Sequence, residues 1–374
     1  MQFFQALAAT FLLAVTVSGA RVSAADLFVY FGSHGEGDGY GFSLAHFDTE
    51  TGKLSTPIFL LKAVAPAYYI INKDGSRLYT CNSAPGASVS AYAIDKGTGG
   101  LTLMNQKPSD GGDPSYATLD ATGRFLMIAN FQGGSIKVFS LAPDGSIGDS
   151  TSFIQHQKEG ASQEITPHAH CINVDPNNKF VLSADLGLDK LFVYRLDLTT
   201  GALLPNNPPY AKVATGLGPR HIVFSREGQF VYLITQMGSS IIRFGWDAKH
   251  GSLIQNESVL SLPPGMASSG VGASELALHP SGKFMYATNR GHDSVGVFSV
   301  NETSGKLTWL QDISTEGKTP RDCDFDPTGR WLIVTNQDSD NAVVYSIDQV
   351  TGMLTLAGEP IKVRSPFCAR FLEH

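Results

Sequence analysis

The amino-acid sequence predicts an all-β fold, a seven-bladed β-propeller with four-stranded antiparallel blades. One motif of about 50 residues recurs six times along the 374-residue chain. The segments at the two ends of the chain together supply a seventh copy. Each copy is long enough for four short strands and their turns, which is the size of one propeller blade.

Each copy contains an apolar strand, a tight turn, a second apolar strand that commonly ends in Asn, and a third strand that ends in Phe or Tyr. The turns centre on residues that accept the positive φ of a tight hairpin. These residues, 47 to 55 positions apart, are Gly75, Gly123, Asn178, Gly228, Gly282 and Gly329. A second element, Gly-x-Leu or a close variant, opens each outer strand, and it occurs at Gly52, Gly100, Gly201, Gly251, Gly305 and Gly352.

The ends of the chain predict how the ring closes. The segment from Leu27 to Leu54 contains only the later strands of a blade, whereas Pro366 to Leu372 has the pattern of one strand. Joining the C-terminal strand to the N-terminal blade completes the seventh copy and leaves no unpaired edge, so we expect a monomer. A pair of packed β-sandwiches is the alternative, but that fold would not require the motif to recur at a regular interval.

Composition and the N-terminus limit the partners and the location. The net charge of -7 provides no basic surface of the kind that nucleic acid or an anionic membrane requires. Residues 1–24 resemble a secretory signal peptide, with an apolar run from Ala6 to Val17 and small residues before a cleavage site at Ala25. We therefore expect a signal peptide at 1–24, a single propeller domain at 25–374, and a secreted protein, extracellular or periplasmic.

The spacing of the cysteines does not indicate a zinc site, while export leaves disulfides between them possible. Each one lies inside an apolar, strand-like run, and the four are Cys81, Cys171, Cys323 and Cys368. No CxxC or CxxH spacing occurs. We interpret all four as small buried hydrophobes and expect no metal and no cofactor.

Aligning the copies indicates which side chains face the central channel, because the first strand of every propeller blade lines it. The aligned position in the first strand holds Ala67, Ser115, His170, Arg220, Ser274 and Arg321. Glu275 follows Ser274. A second column, after the Asn that ends the second strand, holds Ser83, Phe131, Leu186, Gln236, Arg290 and Gln337.

If both columns face the same mouth of the channel, their polar residues converge on one pocket. Several arginines beside a histidine favour a small anion, because a guanidinium binds carboxylate or phosphate through two parallel hydrogen bonds. The candidate catalytic residues are His170, Arg220, Gln236, Glu275 and Arg290. The candidate substrate-binding residues are His168, His221, His292, Arg321 and Gln337. The alternative is structural, since a single His in a strand is often only a hydrogen-bonding partner.

Several motifs resemble one family. They are Pro167-His-Ala-His170, Asp185-Leu-Gly187, Gly218-Pro-Arg-His221, Ser274-Glu-Leu276, Thr288-Asn-Arg-Gly-His292, Pro320-Arg321 and Asn336-Gln-Asp-Ser-Asp340. Over about residues 27 to 372, the chain resembles the seven-bladed propeller lactonases. This family includes propeller-type 6-phosphogluconolactonases and the fungal carboxy-cis,cis-muconate lactonizing enzyme.

The resemblance implies an active-site group of one His, two Arg and one Glu. His170, Arg220 and Arg290 match the His and the two Arg, but Gln236 stands where the family has its Glu, and an amide cannot hold a proton for transfer. Glu275 is the nearest acidic substitute in the sequence.

The function that we expect is hydrolysis of a small acidic lactone. In this mechanism His170 is the general base, and arginines hold the substrate's anion and stabilise the oxyanion. Two alternatives remain open. One is a carboxy-muconate-type cycloisomerase, which the missing Glu disfavours, and the other is a non-catalytic secreted propeller that binds a ligand or partner.

Overall fold

The computed structural model describes residues 26–83, 86–157 and 166–372. Over these ranges the chain forms 30 β-strands in seven antiparallel sheets. The prediction of a seven-bladed β-propeller is confirmed. The predicted signal peptide lies outside the described residues.

We number blades 1 to 6 along the chain and give the number 7 to the blade that contains both chain ends. The innermost strands of blades 1 to 7 are β5 (Pro66–Ile71), β9 (Pro114–Leu119), β13 (Ala169–Val174), β17 (Pro219–Phe224), β21 (Gly272–Leu278), β25 (Pro320–Phe325) and β30 (Pro366–Leu372). The second strands are β6 (Arg77–Asn82), β10 (Phe125–Asn130), β14 (Phe180–Asp185), β18 (Phe230–Thr235), β22 (Phe284–Arg290), β26 (Trp331–Asn336) and β1 (Asp26–Ser33).

The third strands are β7 (Ser88–Ile94), β11 (Ser135–Leu141), β15 (Lys190–Leu196), β19 (Ser240–Asp247), β23 (Ser294–Val300), β27 (Asn341–Ile347) and β2 (Gly41–Asp48). The outer strands are β8 (Leu101–Pro108), β12 (Ile147–Gln155), β16 (Leu203–Lys212), β20 (Ser252–Leu260) and β24 (Leu307–Ser314) in blades 1 to 5. In blades 6 and 7 the outer strand is split, into β28 (Leu354–Leu356) and β29 (Ile361–Lys362), and into β3 (Lys53–Leu54) and β4 (Ile58–Lys62).

The turns between first and second strands have the predicted backbone conformation. All six predicted turn residues have a positive φ, from 56° at Asn178 to 79° at Gly282. Because L-residues with a Cβ rarely adopt this conformation, these positions favour Gly or Asn.

The ring closes as the sequence predicts. Strand β30 pairs antiparallel with β1, from Phe28 opposite Leu372 to Ser33 opposite Pro366. The first residues of the propeller and the last ones therefore share one sheet, and the inner edge of β1 is covered.

Adjacent blades are joined at the Gly-x-Leu elements. The Tyr286 hydroxyl of blade 5 donates a hydrogen bond to the Gly352 carbonyl of blade 6 at 2.8 Å. A Cβ on Gly352, whose φ is 74°, would lie 2.2 Å from the Phe284 ring. Tyr232 and Gly305 form the same joint between blades 4 and 5, again at 2.8 Å. The recurring glycine thus allows an aromatic side chain of the preceding blade to pack against the backbone, and the apolar core lies between blades.

The four cysteines are buried and free, which confirms their interpretation as small hydrophobes. They lie on strands β6, β13, β25 and β30. Burial raises the pKa of the Cys171 thiol to about 12, so this side chain remains a neutral thiol at physiological pH.

Candidate active site

A β-bulge in each innermost strand directs one side chain toward the axis of the ring. In blade 4, Pro219 pairs with Thr235 and His221 pairs with Ile234, so Arg220 has no partner in the register. The same slip occurs in all seven blades and leaves unpaired Ala67, Ser115, His170, Arg220, Ser274 with Glu275, Arg321 and Phe367. The first column of the sequence alignment is therefore a ring of bulges, and bulges commonly re-aim side chains beside active sites.

This ring surrounds a cavity of about 250 Å³. Seven of the ten predicted site residues line it, namely His170, Arg220, His221, Gln236, Glu275, Arg290 and Arg321. Both aligned columns thus contribute to one pocket. The volume is slightly below the usual range for drug-sized ligands, about 300–1,000 Å³, and suits a small molecule.

The other three predicted residues lie outside the cavity lining. His168 precedes β13, where its Nδ1 lies 3.0 Å from the Phe131 carbonyl oxygen and its ring stacks on Phe131. The ring of His170 contacts the same Phe131 ring, with centroids 5.3 Å apart. His292 and Gln337 lie in turns that follow second strands, and Nδ1 of His292 lies 2.7 Å from the Ser294 hydroxyl.

His170 and Arg220 form a buried pair. A guanidinium nitrogen of Arg220, Nη1, contacts Nε2 of His170 and also donates to Oε1 of Gln236 at 3.1 Å. Nε of Arg220 donates to the Ser274 carbonyl at 2.9 Å. Burial and the charge of Arg220 lower the pKa of His170 well below its usual value, so the ring is neutral at pH 7. Because arginine can only donate, Nε2 of His170 is the acceptor and Nδ1 carries the proton.

His221 and Glu275 form a second buried pair across the next blade boundary. Nδ1 of His221 lies 3.0 Å from Oε1 of Glu275, and the same oxygen accepts the backbone N–H of Leu276 at 3.0 Å. Burial raises the pKa of Glu275, whereas the nearby Arg370 and the Leu276 N–H lower it.

Two further arginines complete a cationic wall. Arg290 donates from Nε and Nη2 to the carbonyls of Gly272 and Ala273, at 3.3 and 3.2 Å. The Arg321 guanidinium lies 4.0 Å from the ring centroid of Phe367. Burial and the neighbouring Arg290 lower the pKa of Arg321 to about 9, which leaves it charged at neutral pH. An anion in the cavity would relieve this repulsion between like charges.

Sequence reasoning missed several lining residues, although the repeat alignment contains a signal for four of them. Extending the two columns into blade 7 reaches Phe367 and His34, whose rings stack 4.8 Å apart in the cavity wall. Asp113, Asp322 and Tyr68 also line the cavity. Asp322 and Tyr68 directly follow bulge residues, so a third column would have found them. Burial raises the pKa of Asp322 to about 6.

The polar side chains of the wall are not satisfied by the protein alone. Six buried atoms that have no hydrogen-bond partner among the described residues belong to the bulge ring or to the residue that follows it: Nδ1 of His170, Nε2 of His221, Oγ of Ser274, Oε2 of Glu275, Nε of Arg321 and Oδ1 of Asp322. All of these residues except Ser274 line the cavity. Native proteins leave few buried polar groups unpaired. Their concentration at one cavity indicates a place for polar ligand atoms.

Within the described ranges, His, Cys, Asp and Glu side chains form no cluster of three or more suited to a metal ion. Over the same ranges the chain contains no helix that is long and apolar enough to span a membrane.

Comparisons with known proteins agree with this architecture. Residues 28–371 match the family model described as "Lactonase, 7-bladed beta-propeller". A 6-phosphogluconolactonase from Bacillus subtilis is 34% identical over 345 residues, which cover 92% of this chain and 97% of that protein.

Solved structures give the same result. The periplasmic gluconolactonase PpgL of Pseudomonas aeruginosa superposes with a TM-score of 0.87 at 28% identity and covers 93% of this chain and 99% of its own. A proposed 6-phosphogluconolactonase of Bacteroides fragilis superposes with a TM-score of 0.84 at 34% identity, with 93% of this chain and 98% of that one covered.

Proposed function

Because this chain belongs to the seven-bladed β-propeller lactonase family, we propose that it is a secreted lactonase that opens a small acidic sugar lactone in the channel cavity. The observation that carries the proposal is the cationic wall, in which Arg220, Arg290 and Arg321 line one pocket together with His170 and His221. An anionic group of the substrate, a phosphate or a carboxylate, would bind to this wall. The relatives are a 6-phosphogluconolactonase and a gluconolactonase, and both act on sugar lactones by name.

The His170–Arg220 pair is the group that we place against the lactone carbonyl. The sequence predicts His170 as general base, but its Nε2 already accepts a hydrogen bond from Arg220. In this arrangement Nδ1–H of His170 and the Arg220 guanidinium are donors, and they suit stabilisation of the oxyanion that forms when water attacks. His170 would accept a proton only after Arg220 turns away.

Export of the protein also belongs to the proposal. The signal-like sequence at 1–24 predicts it, and one structural neighbour is periplasmic. A lactone outside the cytoplasm is the substrate that fits this location.

The test is a lactone panel followed by proton release, with the spontaneous rate subtracted, with and without a chelator. The panel includes 6-phosphogluconolactone and glucono-1,5-lactone. We expect turnover by the wild type, and a loss of about 100-fold or more in kcat/KM for His170→Ala and for Arg220→Ala, as for removal of one oxyanion donor. His250→Ala, an exposed histidine paired with Asp247, is the matched control and should keep wild-type activity.

Two outcomes would overturn the proposal. If no lactone turns over above background, the enzyme function fails, and ligand binding without turnover would then support the non-catalytic alternative. If turnover occurs but both variants match the wild type, the reaction takes place elsewhere.

A further inference from the structure

One histidine of the cavity, His221, contacts a carboxylate through one ring nitrogen, and its other ring nitrogen has no hydrogen-bond partner among the described residues. His221 lies on β17, Glu275 lies on the bulge of β21, and both are buried. Their contact, Nδ1 to Oε1 at 3.0 Å, joins blades 4 and 5. The Leu276 N–H holds the same carboxylate oxygen at 3.0 Å. The backbone of β21 therefore holds the carboxylate in position for its contact with the imidazole.

This contact decides the tautomer of His221. When Glu275 is ionised it only accepts hydrogen bonds, and in that state Nδ1 of His221 carries the proton and Nε2 carries the lone pair. Nε2 has no hydrogen-bond partner among the described residues, and His221 lines the cavity. In His170, by contrast, Nε2 is engaged by Arg220. Three histidines line the cavity, and His34 stacks on Phe367. Among the described residues, His221 is the one of the three whose Nδ1 contacts a carboxylate while its Nε2 has no partner.

We propose that His221 takes the proton from the water that attacks the lactone carbonyl, and that Glu275 is the positioning residue that holds its tautomer. The inference rests on the proposed lactone hydrolysis and names the base of that reaction.

The atoms balance in two steps. As the water oxygen bonds to the carbonyl carbon, Nε2 takes one water proton and the carbonyl π pair moves to oxygen. When that pair returns, the ring C–O bond breaks, and Nε2–H protonates the leaving alkoxide. One water is consumed, a hydroxy acid is formed, and the imidazole is regenerated.

The surroundings of His221 favour its neutral form. The charged and titratable groups that face it are His170, Arg220, Glu275, Arg321, Asp322 and Arg370. The rings of Tyr68 and Tyr116 also pack against it. Burial and Arg220 lower its pKa well below the usual value, while Asp322 raises it. The lone pair is therefore available at pH 7, and protonation at acidic pH would remove it.

The fold supplies a matched control. Nδ1 of His156 lies 2.7 Å from Oδ2 of Asp185, both side chains are fully buried, and Nε2 of His156 is also unpaired among the described residues. This pair has the same chemistry as His221–Glu275 but is absent from the cavity lining. Its loss should affect stability only.

The experiment compares His221→Asn, Glu275→Gln and His156→Asn. Asn keeps a donor near the Nδ1 position but has no Nε2, and Gln keeps an acceptor without the charge. For each variant, kcat and KM are measured with 6-phosphogluconolactone and glucono-1,5-lactone from pH 5 to pH 8.5, together with inhibition by the product 6-phosphogluconate and thermal unfolding.

We expect His221→Asn to lower kcat about 100-fold or more, as for loss of a general base, with product inhibition changed less than about threefold. Glu275→Gln should lower kcat and move the acidic limb of the wild-type profile to lower pH, because the imidazolium loses its counter-charge. His156→Asn should keep kcat within about twofold.

The inference is overturned if the wild type turns over lactone and His221→Asn keeps its kcat, or if His156→Asn loses as much activity as His221→Asn. If His221→Asn does not fold, the acidic limb of Glu275→Gln decides, and an unmoved limb rejects the role of the pair. Absence of turnover by the wild type would instead reject the proposed function itself.

Discussion

Arg321 is the cavity arginine with the most donors left for a ligand, and its replacement by Met tests how the anion is bound. Its Nε has no hydrogen-bond partner among the described residues, and its guanidinium lies against the Phe367 ring. Arg220 and Arg290, by contrast, each donate to backbone carbonyls. Met keeps a flexible side chain and an aromatic contact through sulfur, but it removes the charge.

The size of the effect follows from the lost interaction. A hydrogen bond to a charged group contributes about 1.5–3 kcal/mol, and about 1.4 kcal/mol corresponds to a factor of ten. For Arg321→Met we therefore expect KM for 6-phosphogluconolactone to rise roughly 10- to 150-fold. Glucono-1,5-lactone carries no charge, so its KM should change less than about threefold.

Initial rates of proton release on both lactones measure this difference. Arg321→Lys, which keeps the charge but loses the planar fork, should lie between the wild type and the Met variant for the phosphorylated lactone. Equal losses on the two lactones would show that Arg321 supports the shape of the cavity rather than binding an anion. No loss on either would place the anion elsewhere.

Three further predictions concern the site and the fold. Gln236→Glu would place a carboxylate beside Arg220, and its charge would weaken binding of the substrate's anion by about 1 kcal/mol or more. KM for the phosphorylated lactone should therefore rise about fivefold. A gain in kcat would instead indicate that the present site is a degenerate one, which lacks a catalytic acid. Gly123 has a φ of 68° and open space around it, so Gly123→Ala should lower the free energy of unfolding in urea by about 1–2 kcal/mol. The control Gly245→Ala in β19 should be neutral or stabilising. Equal effects of the two substitutions would refute the argument from backbone conformation. Deletion of residues 366–374 removes β30, so we expect loss of cooperative unfolding by circular dichroism, and a soluble variant with the wild-type Tm would contradict the role of ring closure.

The sequence by itself determined the architecture of this protein. The sequence defines seven blades because each repeat carries its own local signals, namely turn glycines at regular intervals and apolar strands between them. The two ends of the chain each supply part of the seventh blade. The same register placed His170, Arg220 and Arg321 in one column, and the structure places them in one cavity. It also indicated buried cysteines, since each lies in an apolar strand.

Only the tertiary structure decided what the site residues contact. The bulge in each innermost strand interrupts the two-residue alternation, so counting along the strand does not by itself give the direction of the side chains on either side of it. The pairs His170–Arg220 and His221–Glu275 each join neighbouring blades, 50 and 54 residues apart in the chain. Which nitrogen of each imidazole is engaged depends on side chains that meet only when the ring closes, and that choice separates the two histidines chemically.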